Sequence, residues 1–170
     1  MTRRLCSLLI LLFLPALSMT EAVYGREALP GEAKVIFVAD GDTIQLQTGH
    51  FVRLLGIDTP EKGQEYYARA KDYVRKRVLG KKVLLEYGPE SKDDYGRLLA
   101  YVHYEYRQEQ HFLNEEILRE GLGHVYIVNK QEKYEETLLL AQREAILLRR
   151  GFWKLRLVKT EHYYISSDKS

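Results

Sequence analysis

The chain has 170 residues, of which 45% are hydrophobic and 29% are charged. This length fits one domain with its own hydrophobic core, and the composition excludes a chain that is disordered throughout. Lys and Arg number 26 against 24 Asp and Glu, and the resulting formal charge of +2 excludes recognition of nucleic acid by net charge alone. Any basic binding surface would have to be local.

Residues 1–22 have the pattern of a secretory signal peptide. Arg3 and Arg4 precede an apolar run over 5–14 that is short for a membrane span, and small residues follow that run. We therefore expect an exported protein, periplasmic or extracellular, with an uncleaved N-terminal anchor as the alternative. Cys6 is the only cysteine, so the mature chain would hold neither a disulfide nor a zinc–cysteine site.

Residues 23–32 form a polar leader, and the domain is expected to span 33–154. Short β-branched or alternating segments bounded by turn residues predict five strands, at 35–38, 43–46, 51–57, 82–87 and 98–104. Apolar residues at helical spacing predict three helices, at 64–79, 113–120 and 134–148. A turn-rich stretch is expected over 88–96 and a brief extended segment over 125–128, and the tail 155–170 has no assigned element.

This order of elements predicts an α+β fold. One helix interrupts the five strands and two helices follow them, which differs from the strict strand–helix alternation of a parallel sheet. A sheet of five strands leaves two edges open unless it closes on itself. The sequence therefore favours a closed five-stranded barrel with three helices.

Acidic residues concentrate where the strands end. Asp40 and Asp42 flank a glycine in a tight-turn signal, and the turn itself is the favoured explanation for Asp40. In residues 58–61, Asp-Thr-Pro-Glu, the proline restricts the turn so that two carboxylates and a backbone carbonyl can converge. Hard oxygen ligands of this kind suit Ca²⁺ or Mg²⁺. The same four residues are also typical of a helix start with Thr59 as the cap, and both interpretations stay open here.

Arg53 is the only charged residue of the third predicted strand. Strand alternation places it on the face of Phe51 and Leu55, where a guanidinium needs a partner or a ligand because an unpaired buried charge is very costly. An ion pair with Asp42 or Asp58 is the structural alternative to a ligand.

A second arginine, Arg97, follows a Tyr-Gly turn and opens the fifth predicted strand. Together with a divalent cation, two arginines and three carboxylates carry a net charge of +1, which matches one phosphodiester. The cations would stabilise charge that builds on phosphorus, and a carboxylate would align or deprotonate water. The candidate set is Asp42, Arg53, Asp58, Glu61 and Arg97.

These segments together resemble the staphylococcal-nuclease (thermonuclease) family. The resemblance covers about residues 33–153 and is highly specific because its motifs occur in order and at compatible spacing. The motifs are Asp-Gly-Asp-Thr at 40–43, Arg-Leu-Leu-Gly-Ile-Asp-Thr-Pro-Glu at 53–61 and Asp-Asp-Tyr-Gly-Arg-Leu-Leu-Ala-Tyr at 93–101, with weaker support from Leu-Asn-Glu at 113–115, Gly-Leu at 121–122 and Trp153.

The resemblance implies an OB-fold barrel and Ca²⁺-dependent hydrolysis of DNA and RNA to products with 3′-phosphates. It implies a role for each matched residue: Asp42, Asp58 and the Thr59 carbonyl would hold Ca²⁺, Glu61 would orient or activate the attacking water, and Arg53 and Arg97 would bind the phosphate. Tyr95 and Tyr126 are candidates for contact with the bases. Asp94 stands where the family often has lysine, which implies weak binding of a terminal phosphate.

The expected substrate is single-stranded or locally melted DNA and RNA, and the expected state is a monomer without stable membrane association after signal cleavage. The alternative function is a catalytically silent OB-fold module that binds nucleic acid or protein. Such a module has no need for all five charged residues, which favours the enzyme.

Overall fold

A computed structural model describes residues 28–127 and 133–154. The signal-peptide prediction for 1–22 and the tail 155–170 lie outside these residues. Within them, no helix is both long and apolar enough to cross a membrane.

Five strands form a closed barrel, as predicted. The strands of the structure are β1 Glu32–Val38, β2 Thr43–Leu46, β3 Phe51–Leu54, β4 Ile57–Asp58, β5 Lys82–Lys92, β6 Leu98–Tyr106, β7 Glu109–Phe112 and β8 His124–Val125. In the barrel the hydrogen-bonded order is β3-β2-β1-β5-β6, and a parallel pairing of β3 with β6 closes the ring. A further strand, β7, extends the sheet beyond β6, and β4 pairs with β8 in a separate two-stranded ladder.

Three α-helices pack around this barrel, as predicted, and the fold is α+β. They are α1 Tyr67–Val78, α2 Leu113–Arg119 and α3 Glu135–Leu147, and a short 3₁₀ helix follows at Gly151–Lys154. Apolar residues of strands and helices meet in one core, because each strand turns alternate residues inward and each helix turns one stripe inward. Fully buried members include Val35, Ile44, Leu46, Val52, Leu54, Val74, Leu98, Ile117 and Leu138.

Several predicted boundaries were wrong. The third predicted strand is interrupted because Gly56 adopts a positive φ of 74°, so β3 ends at Leu54 and β4 is a separate strand. The predicted turn over 88–96 is partly strand, since β5 continues through an irregular register to Lys92, which pairs with Leu98. The first helix begins at Tyr67, three residues later than predicted.

Two short elements near β6 and β4 also differ from prediction. The polar sequence of β7 has no apolar alternation to reveal it, and its pairing with β6 is what makes it a strand. The extended segment predicted over 125–128 begins one residue earlier, at His124, and its strand ends at Val125. Residue 128 lies outside the described residues.

Candidate active site

The ladder register brings three parts of the chain to one end of the barrel. Thr43 of β2 pairs with Arg53 of β3, and Arg53 in turn pairs with Leu99 of β6, two residues beyond Arg97. Val52 and Leu54 point into the core, so Arg53 lies on the outer face with Phe51, as strand alternation predicted. Arg53 on the outer face of β3 and Arg97, one residue before β6, therefore lie on the same side of the barrel.

A bend after β3 holds the Arg53 guanidinium. Nη1 donates to the carbonyl oxygens of Leu54 at 3.0 Å and Ile57 at 2.8 Å. Nη2 donates to Asp58 Oδ1 at 2.7 Å and lies 3.4 Å from Asp42 Oδ2. The ion pairs that were the structural alternative for Arg53 thus exist, with both aspartates. Both ion pairs use Nη2 of Arg53, whose side chain is 15% exposed and lines a cavity.

Asp42 is buried and accepts several hydrogen bonds. The Thr43 hydroxyl donates to Oδ1 at 3.0 Å, while the backbone N–H and the hydroxyl of Thr59 donate to Oδ2 at 2.9 and 2.8 Å. The interpretation of 58–61 as a helix start is wrong, because α1 begins at Tyr67 and Thr59 binds Asp42 instead of capping a helix. Thr59 therefore ties the turn after β4 to the turn before β2.

Asp40, in contrast, belongs to the turn between β1 and β2. Its backbone N–H donates to the Thr43 carbonyl at 3.2 Å, and its carboxylate accepts from the Tyr67 hydroxyl at 3.0 Å. It is absent from the lining of the cavity described below. The turn explanation for Asp40 accounts for these contacts.

A cavity of about 600 Å³ opens beside the bend. Four of the five charged candidates line it, and so does Tyr126. Asp42 and Thr59 lie behind this surface, and Tyr95 is 86% exposed and outside the lining. The candidate residues that line the cavity are Arg53, Asp58, Glu61, Arg97 and Tyr126.

Arg97 has a partner that the sequence-based reasoning did not single out. Its Nε donates to Asp93 Oδ2 at 2.7 Å, and its backbone N–H donates to Asp93 Oδ1 at 2.9 Å. Desolvation acts to raise the pKa of Asp93, but the hydrogen bonds from Arg97 outweigh it and leave that pKa below its ordinary value. The signal was present as an acidic residue four positions before an arginine, across a Tyr-Gly turn. Asp93 binds only Nε and the backbone N–H of Arg97, and the two terminal nitrogens of Arg97 have no hydrogen-bond acceptor among the described residues.

Glu61 sits on an exposed loop between β4 and α1. Its backbone N–H donates to the Gln64 side-chain carbonyl at 2.8 Å, and the Gln64 N–H donates back to the Glu61 carbonyl at 2.9 Å. This reciprocal pair holds the loop backbone, while the Glu61 carboxylate has no hydrogen-bond or ion-pair partner among the described residues. A carboxylate in that state can accept a proton from a water molecule in the cavity.

The donor atoms near Arg53 fit a hard divalent cation. Asp42 and Asp58 both reach the same guanidinium nitrogen, so two carboxylates converge on one small region, and the atoms there are oxygen rather than sulfur. Across the described ranges no three His, Cys, Asp or Glu side chains are grouped as metal ligands. A cation here would therefore need backbone or water oxygens as well, which Ca²⁺ accepts readily.

The cavity lining carries more acidic than basic groups. Its three cations are Arg53, Lys92 and Arg97, against five carboxylates. Asp93 is neutralised by Arg97, whereas the side chains of Glu90 and Asp94 have no ion-pair partner in the part of the chain that the structure describes. Because of this excess of negative charge, an anion with two charges would bind here less tightly than an anion with a single charge.

Known proteins similar to this chain point to one family. The profile of the family described as staphylococcal nuclease homologue matches residues 51–155. The thermonuclease of Staphylococcus hyicus is 36% identical over 129 residues, which cover 71% of this chain and 74% of that protein. The thermonuclease of Staphylococcus intermedius is 35% identical, covering 69% and 73%. An uncharacterized endonuclease of Escherichia coli is 34% identical, covering 71% and 75%. The chain therefore belongs to the staphylococcal nuclease family.

Proposed function

We propose that this protein is a Ca²⁺-dependent phosphodiesterase that hydrolyses DNA and RNA. The observation behind it is that two arginines and two of the candidate carboxylates line the same cavity, with the buried candidate Asp42 behind them. The relatives are thermonucleases and endonucleases by name, which supports nuclease activity.

The two arginines would bind the non-bridging oxygens of the scissile phosphate. Nη1 of Arg53 is committed to carbonyls and one N–H of Nη2 to Asp58, so Nε and the second N–H of Nη2 form the edge that would meet phosphate. Arg97 would use its two terminal nitrogens, since Asp93 takes only Nε and the backbone N–H. Two planar donors aimed at one phosphate stabilise the charge that grows on it during attack.

Glu61 would orient the attacking water and accept its proton. Its carboxylate lines the cavity and has no hydrogen-bond or ion-pair partner among the described residues, so it is available as an acceptor. Asp42, Asp58 and the Thr59 carbonyl would hold Ca²⁺, which supplies further electrostatic stabilisation of the phosphate when bound. The hydrogen bonds from Thr59 keep Asp42 in a fixed orientation for that role.

The silent binding module is the less favoured function. A domain that only binds nucleic acid gains nothing from an acceptor carboxylate such as Glu61 beside two phosphate-binding guanidinium groups. All five charged residues are present, and the named relatives are enzymes.

Digestion of single-stranded DNA and of RNA by the purified mature protein tests this function. We expect cleavage in the presence of Ca²⁺, loss of cleavage with a chelator, and recovery when Ca²⁺ is restored. Equal cleavage with the chelator would overturn the metal assignment. Absence of cleavage in every condition, with nucleic acid still bound, would establish the binding module instead.

Substitutions of two glutamates in the same loop distinguish a catalytic role of Glu61 from a structural role of the loop. Glu61→Gln should reduce turnover by about 10²- to 10⁴-fold, the usual contribution of a general base, while nucleic-acid binding is retained. Glu65→Gln is the matched control, because Glu65 is exposed on the same loop and does not line the cavity. Equal activities in the two variants would remove Glu61 from the proposed mechanism.

We also propose that the protein is exported after removal of residues 1–22 and acts as a monomer. The charged and apolar pattern of that segment supports export. The mass of the protein recovered outside the cytoplasm gives the cleavage site, and its sedimentation gives the oligomeric state. Recovery of the full-length chain in the membrane fraction would show an uncleaved anchor.

A further inference from the structure

Asn114 is a fully buried polar residue that lies outside the cavity. It stands in the first turn of α2, with no exposed surface, and it is absent from the cavity lining. Its Oδ1 accepts from the Val102 N–H of β6 at 3.0 Å, and its Nδ2 donates to the Leu55 carbonyl at 2.8 Å. One side chain thus joins the barrel wall to the bend after β3.

That bend is the part of the chain that holds Arg53. Each of its four successive carbonyls has a donor, and Arg53 supplies two of them, to Leu54 and Ile57. The Gly56 carbonyl accepts from the Tyr126 backbone N–H at 3.0 Å. The remaining carbonyl, that of Leu55, depends on Asn114. Leu55 therefore lies between the two carbonyls that fix the guanidinium.

We propose that Asn114 is a positioning residue for the nuclease site. By holding the Leu55 carbonyl it keeps the bend in the shape that aims Arg53 at Asp58 and at the substrate phosphate. The role in turnover rests on the proposed function, since it requires Arg53 to contact phosphate. The effect on the orientation of Arg53 does not depend on that function and can be measured separately.

A substitution of Asn114 can remove the donor to the Leu55 carbonyl and keep the acceptor for the Val102 N–H. In the carboxylate form of Asn114→Asp, which assays on the alkaline side of neutral favour, one oxygen still accepts from the Val102 N–H, but the other faces the Leu55 carbonyl where a donor stood. The bend then loses one of its four hydrogen bonds and faces a repulsive contact. A shift of about 1 Å in a positioned group can reduce turnover by about a hundredfold.

A stability control is needed because a buried polar substitution also destabilises the fold. Leu138→Ala serves this purpose: Leu138 is fully buried in α3 and absent from the cavity lining, and its truncation destabilises the fold by leaving a cavity in the core. Both variants are assayed at a temperature at which circular dichroism shows them folded. Should Asn114→Asp fail to fold, Asn114→Ser is used instead; its hydroxyl ends one bond short of both amide branches, so it withdraws the donor to Leu55 together with the acceptor for Val102.

The experiment has two readouts, kcat on single-stranded DNA with Ca²⁺ and the NMR resonance of the Arg53 Nε–H group, assigned by its loss in Arg53→Lys. We expect Asn114→Asp to lower kcat about tenfold to a hundredfold and to shift the resonance, while Leu138→Ala changes neither. An unshifted resonance and a kcat equal to that of the control would overturn the positioning role. If the wild-type protein cleaves nothing, the proposed function fails, and the resonance still decides whether Asn114 positions Arg53.

Discussion

Replacing Arg53 by lysine keeps the positive charge but removes the branched guanidinium that makes three hydrogen bonds. Nη1 serves the Leu54 and Ile57 carbonyls and Nη2 serves Asp58, so the group bonds to both sides of the bend at once. A lysine ammonium is a single point donor on a flexible stem and cannot reproduce this fork. Arg53→Lys therefore tests both the bend and the phosphate contact.

The size of the effect follows from the lost contacts. Two carbonyl hydrogen bonds, at about 1 kcal/mol each, correspond to roughly 2 kcal/mol of unfolding free energy. Loss of one preorganised donor to a phosphoryl oxygen costs about 10²- to 10³-fold in kcat, or about 3–4 kcal/mol of transition-state stabilisation. We expect a variant that is folded but less stable and nearly inactive.

Urea unfolding and initial rates on single-stranded DNA with Ca²⁺ measure the two effects separately. Arg97→Lys is the matched comparison, because the side chain of Arg97 makes its one hydrogen bond in the described region to Asp93 and none to backbone carbonyls. It should lose a similar factor in kcat with a smaller change in stability. Turnover of folded Arg53→Lys within about threefold of wild type would refute the phosphate role and leave Arg53 as a structural residue.

Three further outcomes are expected. Gly41→Ala would set a Cβ 2.8 Å from the Thr59 hydroxyl oxygen, so it should destabilise the fold by about 1–3 kcal/mol and weaken Ca²⁺ binding as measured by calorimetry. Gly31→Ala is the control, because Gly31 has open space around it, and it should change neither quantity. Asp94→Lys should tighten the inhibition of cleavage by oligonucleotides that end in phosphate by about fivefold to tenfold, and unchanged inhibition would contradict the charge argument. Folding lowers the pKa of Asp93 below its ordinary value of 3.8, so its ion pair with Arg97 stabilises the fold at neutral pH. This stabilisation is lost as the pH falls from 3.8 through the lower pKa of the folded state. The free energy of unfolding of Asp93→Asn should thus be about 1 kcal/mol lower than that of the wild type at neutral pH, and the two should become equal in acid. A difference that does not depend on pH would contradict the contribution of this ion pair.

The sequence by itself determined the three helices, the five strands of the barrel and the resemblance to the family. Periodicity identified the first helix, whose Ala70, Val74 and Val78 are buried, and the outward face of Arg53, because side-chain direction in a helix or strand is a local property. It also separated the turn residue Asp40 from the other carboxylates. Boundaries were less well predicted where pairing overrides local preference, as in the irregular continuation of β5 to Lys92.

Only the tertiary structure decided how the candidate residues are held. Thr59 donates to a carboxylate 17 positions earlier, and Asn114 donates to a carbonyl 59 positions earlier. The parallel pairing of β3 with β6 sets Arg53 beside Leu99, and hence near Arg97. Contacts between residues so far apart in sequence depend on strand register and helix packing, which no local pattern encodes. The barrel thus combines charges that the sequence had already revealed into one cavity.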